Sequence, residues 1–153
     1  MNGRELFTIG YEGSTVSAVL DAIAAAGVGI LIDVRALPQS RKPGFSKRQL
    51  AAELDQRGIG YVHLKGLGTP KPGRDAARAG QVATMHRIFN THMQSEAAQA
   101  DLAEARDIAT AHRACLLCFE RDHAACHRAI IADLIAVRTG LEIVPLDGQM
   151  LLG

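Results

Sequence analysis

Tryptophan is absent from this 153-residue chain, and two tyrosines and four phenylalanines are its only other aromatic side chains. Proteins that hold single-stranded nucleic acid stack successive bases on such rings. Only Tyr11, Tyr61 and Phe45 are plausible stacking rings beside the basic residues of 41–48 and 65–78, so little stacking surface is on offer. Cysteine is scarce as well. Three is an odd number, and no charged segment followed by an apolar one opens the chain, so a secreted disulfide framework is not expected. The expectation is reduced thiols in cytoplasm. Long hydrophobic runs are missing too: the charge-free apolar stretch at residues 22–32 is about half of the roughly 20 residues a membrane span needs. Nor is one sign of charge in excess. Seventeen basic residues against sixteen acidic ones leave a formal +1, which argues against a nucleic-acid coat or a polybasic membrane anchor.

What is present fits one α/β domain. At 48% hydrophobic and 22% charged, the chain has enough apolar side chains for a layered core, and disorder, collagen and coiled coil are excluded. The charge is unevenly spread. Between Arg35 and Arg78 ten basic residues face three acidic ones, net +7, which leaves net −6 for the remainder.

One pattern recurs at Gly27-Val28-Gly29-Ile30-Leu31, Gly58-Ile59-Gly60-Tyr61-Val62 and Gly140-Leu141-Glu142-Ile143-Val144. Each copy follows a segment with helical spacing and reads as helix, glycine stop, strand, because glycine takes the left-handed conformation that ends a helix and β-branched residues favour extension. Leu6-Phe7-Thr8-Ile9 reads as a first strand, followed by a helix opened by Ser14 with Val16, Val19, Leu20 and Ile23 on its apolar face. Ser46 and Gln49 have capping-box spacing ahead of Leu50 and Leu54. A helical region of one or two helices spans about residues 75–111, then a strand at 114–119 and a helix striped by Ile130, Ile131, Leu134 and Ile135. Loops 35–45 and 65–74, which hold four of the five prolines, read as too rich in breakers to form elements. The order predicts a three-layer, Rossmann-like open parallel sheet of about five strands with helices on both faces.

Ligands of such sheets bind outside the carboxyl ends of the strands. There the sequence puts Gly10-Tyr11-Glu12-Gly13-Ser14 after the first strand, Asp33-Val34-Arg35 after the second, His63 after the third and Glu120-Arg121-Asp122-His123 after the fourth. Gly10 and Gly13 allow a turn whose bare N–H groups favour an anion; a tight turn with a serine cap reads equally well. Arg35, Arg121 and Arg128 are candidate anion ligands, or structural partners of Asp33 and Glu120. Asp33, Glu120 and His127 are acid–base candidates, with a core histidine holding a loop carbonyl as the other reading of His127. Cys118, His123, Cys126 and His127, with His63, supply soft metal ligands, but no C-x-x-C pair sets zinc spacing. Leu31-Ile32-Asp33-Val34-Arg35 looks like the opening of a rhodanese domain. A single-cysteine phosphatase or sulfurtransferase loop at Cys118 would need an arginine five or six residues on, where His123 and Ala124 stand, so a buried structural thiol is expected.

Taken together, Thr8-Ile9-Gly10-Tyr11-Glu12-Gly13, Asp33-Val34-Arg35, Tyr61-Val62-His63-Leu64 with Leu67-Gly68, and Leu117-Cys118-Phe119-Glu120-Arg121-Asp122 leading to Cys126-His127-Arg128 resemble the family catalogued as domain of unknown function 488. The resemblance implies a small bacterial or archaeal α/β domain with its motif residues at one end of the sheet, and it implies no reaction. Phe119 and the Tyr11-Glu12 pair depart from many relatives, which carry a small residue and a histidine-serine pair there.

Three functions are compatible with this reading. The first is an enzyme for transfer or hydrolysis on a phosphorylated or nucleotide-like ligand at the rim. The second is a nucleic-acid-binding module using the basic 41–48 and 65–78 loops, and the third is a metal-binding protein.

Overall fold

The computed structural model describes residues 4–123 and 126–148. Its five strands are β1 (Glu5–Gly10), β2 (Ile30–Asp33), β3 (Gly60–His63), β4 (Ala114–Cys118) and β5 (Glu142–Leu146), all parallel, in the order β3-β2-β4-β1-β5. The helices are α1 (Val16–Ala25), α2 (Lys47–Gln56), α3 (Lys71–Arg78), α4 (Val82–His92), α5 (Glu96–Ala111) and α6 (His127–Thr139), with a 3-10 turn at Lys65–Leu67. This is the expected three-layer α/β arrangement.

Each sheet face buries its own apolar set. Phe7, Ile9, Leu31 and Leu117 pack on Val19, Leu20 and Ile23 of α1 and Leu50 and Leu54 of α2. Leu6, Ile32, Leu116 and Cys118 on the other face pack on α3 to α6, through Ala76, Phe89, Ala105, Ile131 and Ile135 among others. Alternation along the strands produces this split, since successive side chains point to opposite faces. The three glycine stops behave as read, with Gly27, Gly58 and Gly140 all left-handed at φ of +74°, +72° and +75°.

Local chemistry differs from expectation at three points. Thr15, not Ser14, caps α1 by accepting from the Ala18 N–H. Ser46 precedes α2 without capping it, because its hydroxyl accepts from the Ser40 N–H and donates to the Ser40 carbonyl, while Gln49 accepts from the Gly44 N–H. The 65–74 loop is partly helical, and three helices, not one or two, link β3 to β4. Pro70 sits at the cap of α3 and Pro72 in its first turn, where a missing N–H costs nothing, so neither breaks it.

The topology puts a crevice at β1 and β4. These two strands are neighbours, yet β1 leads through α1 to β2 on one side and β4 leads through α6 to β5 on the other, with α1 and α6 on opposite faces. The loops after them diverge. That is the switch point at which open α/β sheets hold ligands.

Candidate functional site

A cavity of about 590 Å³ opens at this switch point. Its floor is Cys118 at the end of β4, Phe119 and Glu120 after it, and Tyr11 and Glu12 after β1; its sides come from Arg35, residues 36, 37 and 39–41, Thr69, α3, Met85 and His127. Arg41, Arg74 and Arg78 join Arg35 on the wall, and Leu37 and Phe119 add exposed apolar surface.

Arg35 and Asp33 form the most saturated group of the rim. The Arg35 Nε and Nη2 donate to the two Asp33 carboxylate oxygens at 2.9 and 2.7 Å, and the Arg35 backbone N–H adds a third bond at 3.1 Å. The Tyr61 hydroxyl donates a fourth at 2.6 Å. Arg35 Nη1 reaches the Phe45 carbonyl at 2.7 Å and the Tyr11 hydroxyl at 3.2 Å. Burial opposes the guanidinium charge, but the Asp33 bonds and charge outweigh it and raise the Arg35 pKa further. Burial and Asp33 likewise push the Tyr61 phenol up. The Asp33 carboxylate is therefore fully bonded inside a closed network.

Around this network the aromatics are mostly spent. Tyr11 and Phe45 are buried and stack on each other at 4.2 Å, and Phe119 meets the Tyr11 ring edge-on at 5.4 Å. His63 bonds the Arg35 carbonyl at 2.7 Å through Nε2. His127 Nε2 lies 2.9 Å from the Val34 carbonyl and can only donate to it, so the carbonyl-holding reading of this histidine describes its geometry. Burial lowers its pKa to about 4, with the Arg128 cation adding to the effect. It is neutral at pH 7 with Nε2 protonated.

Glu120 differs from Asp33. It is half-buried on the cavity floor, where burial raises its pKa and the nearby Glu12 charge adds to the rise, against the opposing pull of Arg128. A carboxyl held above its usual range beside a cavity keeps its proton to higher pH than a free carboxyl does, which suits it to acid–base work.

The first turn is not a bare anion cradle. The Tyr11 and Glu12 N–H groups donate to the Cys118 and Phe119 carbonyls at 3.2 and 2.8 Å, and the Ser14 N–H donates to the Tyr11 carbonyl. Gly10 is required for another reason: a Cβ there would lie 1.7 Å from the Glu120 carbonyl oxygen and 2.9 Å from an Arg128 nitrogen. Gly13 takes a left-handed φ of +77° in the turn. Neither glycine lines the cavity.

Arg121 and Arg128 do not line it either. Arg121 points to Asp147, which its Nη2 meets at 2.7 Å, while its N–H donates to Glu12. Arg128 is fully buried beneath the floor, donating to the Glu120 and Arg121 carbonyls and, at 3.1 Å, to Cys118 Sγ. Its partners are thus neither Asp33 nor the Glu120 carboxylate. Burial lowers its pKa.

Cysteine usage also departs from expectation. Cys118 and Cys126 are joined as a disulfide, which leaves Cys115 as the free thiol among the described residues. The sequence predicts reduced thiols, whereas the structure bonds these two, at the end of β4 and the cap of α6. Of the soft ligands only Cys118, Cys126 and His127 gather, with ligand atoms within 4.8 Å of one another. His123 is turned to Thr8 and His63 to Arg35. With the sulfurs bonded to each other the trio offers no thiolates to a cation.

A family model described as "Domain of unknown function DUF488" matches residues 15–135. The chain belongs to this family. No curated protein and no solved structure matches it. The match covers most of the DUF488 domain's sheet and five of its six helices. Three cavity arginines were not assigned to the rim ligand: Arg41, Arg74 and Arg78 belong to the basic 41–48 and 65–78 loops that the sequence offered to a nucleic-acid backbone. Their signal was position in two loops that the topology brings to one rim.

Proposed function

We propose that the DUF488 cavity is an enzyme site for a phosphorylated or nucleotide-like ligand, and that the reaction is a transfer or a hydrolysis. The observation that carries this reading is the set of arginines, Arg35, Arg41, Arg74 and Arg78, that line one cavity. Arg78 is largely exposed and Arg41 is exposed, while Arg74 is half-buried and anchored by its bond to the Thr69 carbonyl at 2.9 Å. Guanidinium forks match phosphate oxygens, and a concave wall concentrates their field. Phe119 and Leu37 give the apolar part of a ligand a surface to lie on.

Within this reading Glu120 is the acid–base group. It would protonate a leaving oxygen or accept a proton from the attacking one. Asp33 orients Arg35, and His127 pins the Val34 carbonyl, so both support the site and neither exchanges a proton in the reaction. Gly10 allows β1 to approach Glu120 closely enough to set the floor.

The test is a thermal-shift screen of nucleotides and sugar phosphates at two salt concentrations, repeated with Arg74→Ala. A ligand that binds only the folded chain raises the midpoint. A shift that survives moderate salt and disappears in Arg74→Ala supports the site. A shift with oligonucleotides alone, lost at moderate salt, would replace it with binding along the exposed Arg41, Lys47, Arg48, Lys65 and Lys71. The burial of Tyr11 and Phe45 counts against that alternative, since neither ring is free to stack on a base.

A further inference from the structure

Beneath the cavity floor, two cysteines and an arginine meet in an arrangement that ligand binding does not use. Cys118 ends β4 and lines the cavity; Cys126 caps α6 and lies fully buried behind it. The two are joined as a disulfide. Arg128, in the first turn of α6, donates to Cys118 Sγ from 3.1 Å.

The electrostatics around this arginine are unbalanced. Its other hydrogen bonds go to the uncharged carbonyls of Glu120 and Arg121, and its buried Nε has no partner. Among the described residues, no ion pair includes Arg128. The charges of Glu120 and Asp122 favour the cation without forming an ion pair with it, whereas Arg35 nearby is paired with its own carboxylate. A thiolate at Cys118 would place the missing negative charge at hydrogen-bond distance. Reduction of the disulfide creates that thiolate, and a cation beside a thiol is the setting that makes it reactive.

We propose that Cys118 and Cys126 are a redox-active dithiol pair, in which Cys118 exchanges with small disulfides and thiols entering through the cavity and Cys126 resolves the product. The proposal goes beyond the ligand reading above and does not depend on it. Oxidation proceeds in two steps. The Cys118 thiolate attacks one sulfur of a small disulfide, forming a protein–small-molecule mixed disulfide and expelling one thiolate. Cys126 then attacks Cys118 Sγ, closing the protein disulfide and expelling the second thiolate. The two expelled thiolates take up the two protons that the cysteines lose. Two protein thiols are oxidised and one small disulfide is reduced to two thiols; a small dithiol runs the sequence backward.

The positions assign the roles. Only Cys118 of the two lines the cavity, so it meets the incoming reagent, and Cys126, fully buried with its sulfur 3.6 Å from His127 Nδ1, is left to resolve the product. Arg128 is a positioning residue that acts through the Cys118 sulfur. Cys115 lies on the opposite face of the sheet, among the side chains packed on α1 and α2, where burial pushes its thiol up. It is the internal control.

The experiment uses the full chain, reduced with dithiothreitol under native conditions, desalted and mixed with oxidised glutathione at pH 7. Samples are quenched by denaturing alkylation and read by intact mass. Wild type is expected to regain its disulfide and keep one alkylatable thiol, Cys115. Cys126→Ser should stop as a glutathione adduct on Cys118, and Cys118→Ser should form neither product. Arg128→Met should slow the first exchange by about tenfold and Arg128→Lys should restore most of the rate. If dithiothreitol leaves the native disulfide intact, or Cys126→Ser forms no adduct, the pair is structural and the proposal fails. It also fails if the reduced protein takes up zinc stoichiometrically and no longer exchanges, which would make Cys118, Cys126 and His127 a metal centre. Should Arg128→Met not fold, the comparison of wild type with the two serine variants decides alone.

Discussion

Arg35 and Arg128 are both buried at the carboxyl ends of neighbouring strands, β2 and β4, yet they are accommodated in opposite ways. Arg35 meets Asp33 through two side-chain bonds and is completed by Tyr11 and the Phe45 carbonyl. Arg128 meets a sulfur and two carbonyls, with Nε left over. A guanidinium with its carboxylate in place is architecture, because moving either partner exposes an uncompensated charge. One that lacks it suits, in the proposal above, the thiolate that reduction of Cys118 would bring.

The sharpest way to break this comparison is to remove the Arg35 counter-charge. Asp33→Ala should destabilise the fold by about 3–5 kcal/mol in denaturant unfolding, since it strands a buried cation and the Tyr61 hydroxyl together. A loss below about 1 kcal/mol would show that the network is not what holds the rim.

Acid probes the Arg128 side. Burial and the Arg128 cation hold His127 near 4, below its ordinary 6.5, so between those values the unfolded chain binds a proton that the native chain does not. The stability this supplies is complete above pH 6.5 and is lost as the pH falls toward 4, about 3 kcal/mol in all. Unfolding curves of wild type and His127→Gln across that range should converge at low pH, and parallel curves would refute the assignment.

Arg128→Met should have a smaller effect, a loss of about 1–2 kcal/mol, because the cost of unbonded carbonyls is partly offset by the relief of burying a charge. The same variant should raise the His127 pKa, measurable by NMR titration of the ring. If Arg128→Met is as damaging as Asp33→Ala, the two arginines are equivalent and the contrast collapses.

Arg121 sets the lower bound. Its bridge to Asp147 is roughly half-exposed, and Arg121→Ala should change stability by less than about 1 kcal/mol. It should also leave any ligand-induced rise in midpoint unchanged, whereas Arg74→Ala should abolish that rise.

The layered sheet was readable from the chain because it rests on local rules. Gly27, Gly58 and Gly140 ended helices wherever a left-handed residue was needed, and the strands that followed were marked by β-branched side chains. Where several weak signals competed, local reading failed. Pro70 and Pro72 read as breakers but start α3, since a helix tolerates proline in its first turn, and the Ser46–Gln49 spacing satisfied loop groups in place of a cap.

Residues of the site were legible by type and by rim, not by role. Asp33, Arg35, Glu120 and His127 do converge, because parallel strands must end on the same side. Which carboxylate keeps a free face depended on contacts with Tyr61 and Phe45 from other elements, and so did the choice of Arg74 and Arg78 over Arg121 for the cavity wall.

Composition, hydrophobic period and glycine placement thus determined a parallel α/β domain with a polar rim, because each acts within a few residues of chain. Only the tertiary structure decided that Cys118 meets Cys126 and Arg128, that Asp33 is closed and Glu120 open, and that basic loops face a cavity. Those outcomes depend on distances between segments far apart in sequence, and on the burial that sets the charge of each group.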